Sequence, residues 1–425
     1  MRIAYYSHYY APEIGAPSAR IYDLSKQWLS LGHEIQVVTC LPNHPKGELY
    51  PGYSSGLYMG ERLDGIQVHR HWTYVTPNQG FIKKTIGHAS YLPAALLLSN
   101  RHVAAPDVAI GTSPTFFAAM AAAHTAWRKR IPFVMEVRDL WPAIFVDLGL
   151  LRNPLLIGLL ERLEMALYRR ATRIVTVTSE FRRNLIDRGV PECKVSAILN
   201  GADVNFWKPT EPPVELRRRL GLEDKFTVVY IGAHGISHGL AQVLEAARRL
   251  AEVPEIQFLF VGEGAEKRSL VRKAQEQQLT NVRFLDAVGK EEVRKFYALA
   301  DVCLVPLRNI PLFDAFIPSK MFEIMAMGKP ILGSVRGEAR DILTRSGGAI
   351  VVAPEDSRAM SDALLGMYRN PSMLRALGER GRQCVIDRYS RRSQAESYLD
   401  VLKAATEEFH QKRSRTRLAF AAGSE

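Results

Sequence analysis

Pro318-Ser319-Lys320-Met321-Phe322-Glu323-Ile324-Met325-Ala326-Met327-Gly328-Lys329-Pro330-Ile331 reads as a loop, a short amphipathic helix and the start of a buried strand. Pro318 and Ser319 supply a helix start, and Met321, Ile324 and Met325 recur at helical spacing. Gly328 and Pro330 stop the helix before the apolar pair Ile331-Leu332. The N–H groups of a helix start can receive a phosphate, and Lys320 can add a full charge. Glu323 lies about one turn further in, where a carboxylate can accept from both hydroxyls of a ribose joined to that phosphate. A lysine near a helix start also commonly faces solvent, and a first-turn glutamate commonly serves only the helix dipole. Spacing alone leaves both readings open.

Working outward, strand-like and helix-like runs alternate from end to end. Residues 2–7, 34–39, 107–110, 133–137, 173–178 and 194–199 read as strands, with an amphipathic helix over 19–31 that carries Ile21, Leu24 and Trp28 on one side. Lys208-Pro209-Thr210-Glu211-Pro212-Pro213 then puts three prolines in six residues and reads as a linker. The alternation restarts at 226–231, 257–261, 282–285, 302–306, 330–334 and 349–352. This is βαβ punctuation and predicts two parallel, doubly wound α/β domains. We place the first at 1–207, the linker at 208–213 and the second at 214–390. A last helical stretch covers 391–409, followed by the basic tail Lys412-Arg413-Ser414-Arg415-Thr416-Arg417, expected to fray.

The 425 residues allow two cores, and 47% hydrophobic with 24% charged residues is ordinary for a globular chain. Cys40, Cys193, Cys303 and Cys384 are far apart, so neither a disulfide framework nor a zinc site is expected, and no metal ligands are assigned. Residues 2–7 lack a signal-peptide pattern and no apolar run is long enough to cross a bilayer, which predicts a cytoplasmic protein. The formal net charge of +12 asks for anionic partners. Nucleic acid is not among those expected, because no helix-turn-helix, zinc-finger or RNP-like signature is present.

Absent motifs narrow the chemistry. There is no P-loop, no Gly-x-Gly-x-x-Gly after a strand and no Asp-x-Asp pair to hold a divalent ion on a diphosphate. The charge of a bound diphosphate must then be met by N–H groups, helix ends and cationic side chains. Two glycine-bearing loops follow first strands, His8-Tyr9-Tyr10-Ala11-Pro12-Glu13-Ile14-Gly15-Ala16-Pro17-Ser18 and Gly232-Ala233-His234-Gly235-Ile236-Ser237-His238-Gly239. Gly262-Glu263-Gly264 closes another strand, and Glu136-Val137-Arg138-Asp139-Leu140 ends one in the first half, where open α/β sheets bind ligands.

The segment 318–331, with these loops, resembles the donor-binding half of retaining glycosyltransferases of family four, which have the GT-B fold. The resemblance spans nearly the whole chain and implies two facing Rossmann-like domains with an interdomain cleft, the C-terminal helix (about 391–410) packing back on the first. It implies that Glu323 holds the nucleotide ribose. Pro318, Ser319, Lys320, Gly232, His234, Gly235 and, from the first half, Gly15 lie at the donor, with Glu263 beside the base. Arg138 and Asp139 are implied near the reacting centre, with His234 as a third catalytic candidate, and an internal Arg138–Asp139 ion pair is the alternative. Glu13, Asp314 and Glu338 are implied as sugar or acceptor contacts. The sequence departs from the family at Ala16, which replaces the second of two glycines, and at Ala315, where the first of two glutamates is absent. No Arg–Lys pair stands between 232 and 239. Phe316-Ile317-Pro318-Ser319-Lys320 resembles a bacterial subgroup that assembles O-antigen and capsule with N-acetyl-L-fucosamine donors.

The implied activity is transfer of a sugar from a nucleotide diphosphate, expected to be a UDP-sugar, to a hydroxyl of a lipid-linked saccharide, with retention and without a metal or other cofactor. Two rival readings stand beside it: a non-hydrolysing nucleotide-sugar epimerase, and an inactive membrane-bound scaffold of the same fold. Basic amphipathic stretches at 81–102 and 152–170 can lie on an anionic membrane or pack as core helices with solvated ends. With the charge excess, they suggest peripheral attachment to the inner face of the cytoplasmic membrane.

Overall fold

A computed structural model describes residues 1–13, 15–44, 47–76, 81–113, 115–147, 149 and 151–422. The chain divides into two compact units, Met1–Leu199 with Arg392–Glu425, and Asn200–Arg391.

The first unit holds β1 (Arg2–Tyr6), β2 (Glu34–Cys40), β3 (Tyr58–Leu63), β4 (Ile66–His71), β5 (Val108–Thr112), β6 (Phe133–Val137), β7 (Arg173–Thr176) and β8 (Val195–Ala197). They form one sheet in the order β3-β4-β2-β1-β5-β6-β7-β8. All pairs are parallel except β3 with β4, and Ile3 sits level with Ile35 on one side and Val108 on the other. The central strands β1, β5 and β6 are short and almost wholly buried, as in a sheet covered on both faces. The β3–β4 hairpin is absent from the sequence reading. It turns on Asp64 (φ 47°) and Gly65 (φ 85°), both left-handed, as a two-residue hairpin turn demands.

The second unit holds β9 (Phe226–Ile231), β10 (Ile256–Val261), β11 (Val282–Leu285), β12 (Val302–Pro306), β13 (Ile331–Ser334) and β14 (Ala349–Val352), in the order β11-β10-β9-β12-β13-β14. Every pairing is parallel. Both sheets are Rossmann-like. Strand order reverses at β1 and at β9, and the loops leaving those strands are the two glycine-bearing loops noted above.

The unit boundary falls at Leu199 rather than after 207, and residues 208–213 lie inside the second unit rather than between two. The reason is Trp207, which is buried, stands 5.6 Å from the Tyr297 ring and accepts a hydrogen bond on its carbonyl from Arg382 (3.3 Å). The C-terminal helix runs Arg391–Ala422, past the expected end, since no glycine or proline interrupts it. Its Ala395, Tyr398, Leu399, Leu402 and Ala405 join the core of the first unit, and the Trp28 indole N–H donates to the Ala395 carbonyl (2.9 Å).

Candidate functional site

The second unit gathers its sequence candidates at the carboxyl end of β9. Lys320 opens the helix Lys320–Ala326, and its Nζ lies 4.0 Å from the centre of the Tyr230 ring at the end of β9. That ammonium is buried and has no hydrogen-bond partner. Burial pulls its pKa down to about 7, against the nearby charge of Glu323. A buried cation over an aromatic face gains some attraction from the ring, yet three N–H donors are left to fill.

Gly232 makes that position possible. A Cβ there would stand 2.6 Å from Lys320 Nζ. At Gly262 a Cβ would stand 2.0 Å from the Gly232 carbonyl oxygen, and φ is +148°, so the two loops touch backbone to backbone. His234 is clamped in the same contact: its N–H donates to the Glu263 carbonyl (2.8 Å), and its own carbonyl accepts from Glu266 (2.9 Å). The His234 ring is fully buried with neither nitrogen hydrogen-bonded. Burial, aided by Lys267 and Lys320, lowers its pKa to about 4, so the imidazole is neutral near pH 7 with one N–H to donate. The pKa of His238 is likewise pushed down to about 3 by burial and Lys320, with a hydrogen bond to the Pro306 backbone opposing.

Glu323 takes a hydrogen bond from the Tyr297 hydroxyl, a partner invisible in the motif. Ser319 is the residue before the helix and makes no side-chain cap, while the Pro318 carbonyl accepts from Met321 (3.1 Å). Gly235 precedes a 3-10 turn, Ile236–His238, in the same loop.

Two further candidates of this unit are ion-paired, and a third sits at a helix start. The Glu263 carboxylate faces solvent and is bound to Lys267 (2.6 Å), which also bridges to Asp286 (2.7 Å). Only the Glu263 backbone serves the loop contact. Asp314 pairs with Arg336 (3.1 Å), and Arg336 also donates to Asn309 (2.8 Å), so this carboxylate ties down its own loop. Glu338 is in the first turn of the helix Gly337–Ser346, the ordinary place for an acid complementing the dipole.

In the first unit, Arg138 and Asp139 follow β6. Ser113 Oγ, at the end of β5, accepts their N–H groups (2.8 and 3.4 Å) and donates to the Asp139 carbonyl (3.3 Å). Burial raises the Asp139 carboxyl to about 6, with Arg138 opposing. The same burial lowers Arg138, against the pull of Glu136. Glu136 is the centre of a network that sequence reasoning missed: fully buried, it accepts from Tyr5, Thr112 (2.9 Å) and Arg20 (3.0 Å). Gly15 precedes the helix Ala16–Ser30 with φ 148°.

Glu13 is corrected. It is 5% exposed, and its carboxylate accepts three backbone N–H bonds, from Tyr10 (3.1 Å), Asn43 (2.9 Å) and His44 (2.9 Å). Burial still lifts its pKa to about 7. It therefore fastens the loop after β1 to the loop after β2. Those loops wall a small hollow at the carboxyl ends of β1, β2 and β4, lined by His8, Tyr9, Asn43, His44, Thr73, Tyr74, Thr76, Gly87 and His88. Tyr9 hydroxyl and His88 Nε2 are 3.0 Å apart, and the rings of Tyr9 and His44 stand edge to face at 5.0 Å. Among the described residues no cluster of three His, Cys, Asp or Glu could hold a metal ion.

Residues 214–384 match the family model of glycosyl transferases group 1, and residues 15–201 match that of the glycosyl transferase 4-like domain. A protein of Escherichia coli named as the colanic acid biosynthesis glycosyl transferase WcaI is 26% identical over 85% of this chain and 90% of its own length. The alpha-galactosylglucosyldiacylglycerol synthase of Streptococcus pneumoniae is 28% identical over 59% of this chain and 66% of its own. Among solved structures, Anabaena HepE in complex with UDP-glucose superposes with a TM-score of 0.69 at 17% identity, covering 95% of this chain and all of that one.

Proposed function

We propose that this chain, which is a GT-B glycosyltransferase of the group 1 family, moves a sugar from a UDP-sugar to a hydroxyl of a lipid-linked saccharide in surface-polysaccharide assembly. The observation that carries the donor reading is the buried Lys320 ammonium, unpartnered and pressed against Gly232. A diphosphate supplies the acceptors it lacks. His234 donates its single N–H to the same donor, and Glu323, steadied by Tyr297, accepts from the ribose hydroxyls. HepE, of like fold, holds UDP-glucose, and the two relatives carry names from polysaccharide and glycolipid synthesis. The segment 316–320 favours an N-acetyl-fucosamine type of donor sugar.

The reaction we propose needs no protein nucleophile. The bond from the anomeric carbon to the diphosphate oxygen breaks while the acceptor oxygen bonds to that carbon on the same face. The acceptor proton passes to the departing diphosphate. Lys320 and the N–H groups of residues 232–235 stabilise the growing phosphate charge, and this role is proposed to proceed without a metal ion. In the first unit, Arg138 and Asp139 serve the acceptor, with the Tyr9–His44–His88 hollow as the seat for a sugar ring of it.

A thermal-shift panel of UDP-, GDP- and ADP-sugars tests this. UDP-sugars raise Tm in the presence of EDTA, and Glu323→Ala removes the rise. A panel with no shift at all overturns the donor reading in favour of an inactive scaffold. Epimer formed from donor alone, with no acceptor, overturns transfer in favour of an isomerase.

A further inference from the structure

Helix Pro154–Arg170 of the first unit buries Glu164, Leu167 and Tyr168 on its inner side. On its outer side Leu155, Leu156, Leu159 and Leu163 are 85, 42, 53 and 38% exposed. Positions 155, 159 and 163 are successive turns of one face, with 156 beside them. The same outer side continues with Arg162, Arg169 and Arg170, all exposed, and Glu161 is the one exposed acid between 152 and 170. A lone leucine in water is ordinary, but a stripe of four marks a surface that something covers.

We propose that this face lies on an anionic bilayer, with the leucines in the acyl boundary and the arginines on lipid phosphates. Charge complementarity selects that occupant. The face is basic, in a chain of formal net charge +12. A second copy docked face to face would set these arginines against their own kind. A 17-residue helix packed on a sheet lies along a bilayer rather than through it, and no described helix is long and apolar enough to cross one. The helix leads from β6 to the parallel β7, so its leucine-bearing first turns stand at the carboxyl end of the sheet. Arg138 and Asp139 follow β6 at that same end. An acceptor with a lipid tail would meet the first unit there. The docking itself does not depend on the transfer reaction.

Cosedimentation of the full chain with vesicles tests the face. The wild type partitions onto phosphatidylglycerol–phosphatidylcholine vesicles and not onto phosphatidylcholine alone, and high salt weakens it. Leu155→Ser/Leu159→Ser and Arg162→Glu/Arg169→Glu each lower partition by about tenfold or more while keeping the wild-type melt and the UDP-induced shift. Wild-type partition retained by either variant overturns the proposal. So does a wild type that stays in solution, even with its UDP shift intact, which leaves the donor reading standing. A wild-type dimer that the leucine variant renders monomeric overturns it in favour of a second copy.

Discussion

Lys320 is held at a cost. Its ammonium sits out of water with no acceptor, and its pKa falls to about 7. Lys320→Met should therefore stabilise the ligand-free protein by about 1–2 kcal/mol while abolishing the UDP-induced rise in Tm. The sign of the pH effect is definite. A lysine lowered from 10.5 to about 7 has lost a proton in the folded state that the unfolded chain keeps, so its contribution to stability improves as pH rises through that window. The advantage of Lys320→Met is accordingly largest at or below pH 7 and shrinks toward pH 10. Donor affinity runs the other way, level below pH 7 and falling about tenfold per unit above it, because the free protein must take up a proton to bind. With Asp139 in the proposed acceptor role, its ionisation at about 6 makes kcat/KM climb through 6 and decline past 7. A profile flat from 6 to 9, or an unstabilised Lys320→Met, contradicts this account. As candidates, Lys320 and Glu323 were legible because helix start, turn and spacing coincide in one short segment, and Gly232 because a glycine-bearing loop follows its strand. Glu13 was not, since a carboxylate in a glycine-bearing loop reads the same whether it faces a sugar or the N–H groups of Asn43 and His44, thirty residues on. Tyr297 and Glu136 were missed for the same reason, their partners being remote in sequence.

Elements were read well where period and punctuation agreed. Most of the parallel strands are short apolar runs bounded by turns, and of the fourteen strands among the described residues twelve stand out that way. The β3–β4 hairpin did not, because Tyr58–Leu63 is an edge strand with a polar, half-exposed pattern. The C-terminal helix was recognisable from its spacing, but what it covers depends on contacts such as Trp28 with Ala395, which are 367 residues apart. Leu402→Ala in that helix should cost about 2–5 kcal/mol, since Leu402 is fully buried. Lys403→Ala, one position on and exposed, should stay within about 0.5 kcal/mol. Denaturant unfolding of the two variants separates them, and equal effects would mean the helix is not a working part of that core.

At the scale of the molecule, the alternation of strands and helices announced two α/β halves, while three prolines in six residues drew the border too late. Proline marks an irregular segment, not a domain edge, and Trp207 just before it is core of the second unit. The division Met1–Leu199 plus Arg392–Glu425 makes the first unit discontinuous in sequence. Its core is completed by the C-terminal helix, with Ala395, Tyr398, Leu399, Leu402 and Ala405 packed among Trp28, Ile21 and Tyr5. Burying such side chains is worth about 1.5–3 kcal/mol for each large one, so the helix supplies stability on the order of a whole domain's net margin. The core of the second unit is made of residues from 228 to 377. A chain ending at Arg391 should therefore lose hydrogen-exchange protection throughout β1, β2 and β5. It should keep protection in β9, β10 and β12, and UDP should still slow exchange at residues 232–235. Loss of protection in both units together would show one cooperative body. Full protection in the first unit would show that the C-terminal helix contributes nothing to holding it.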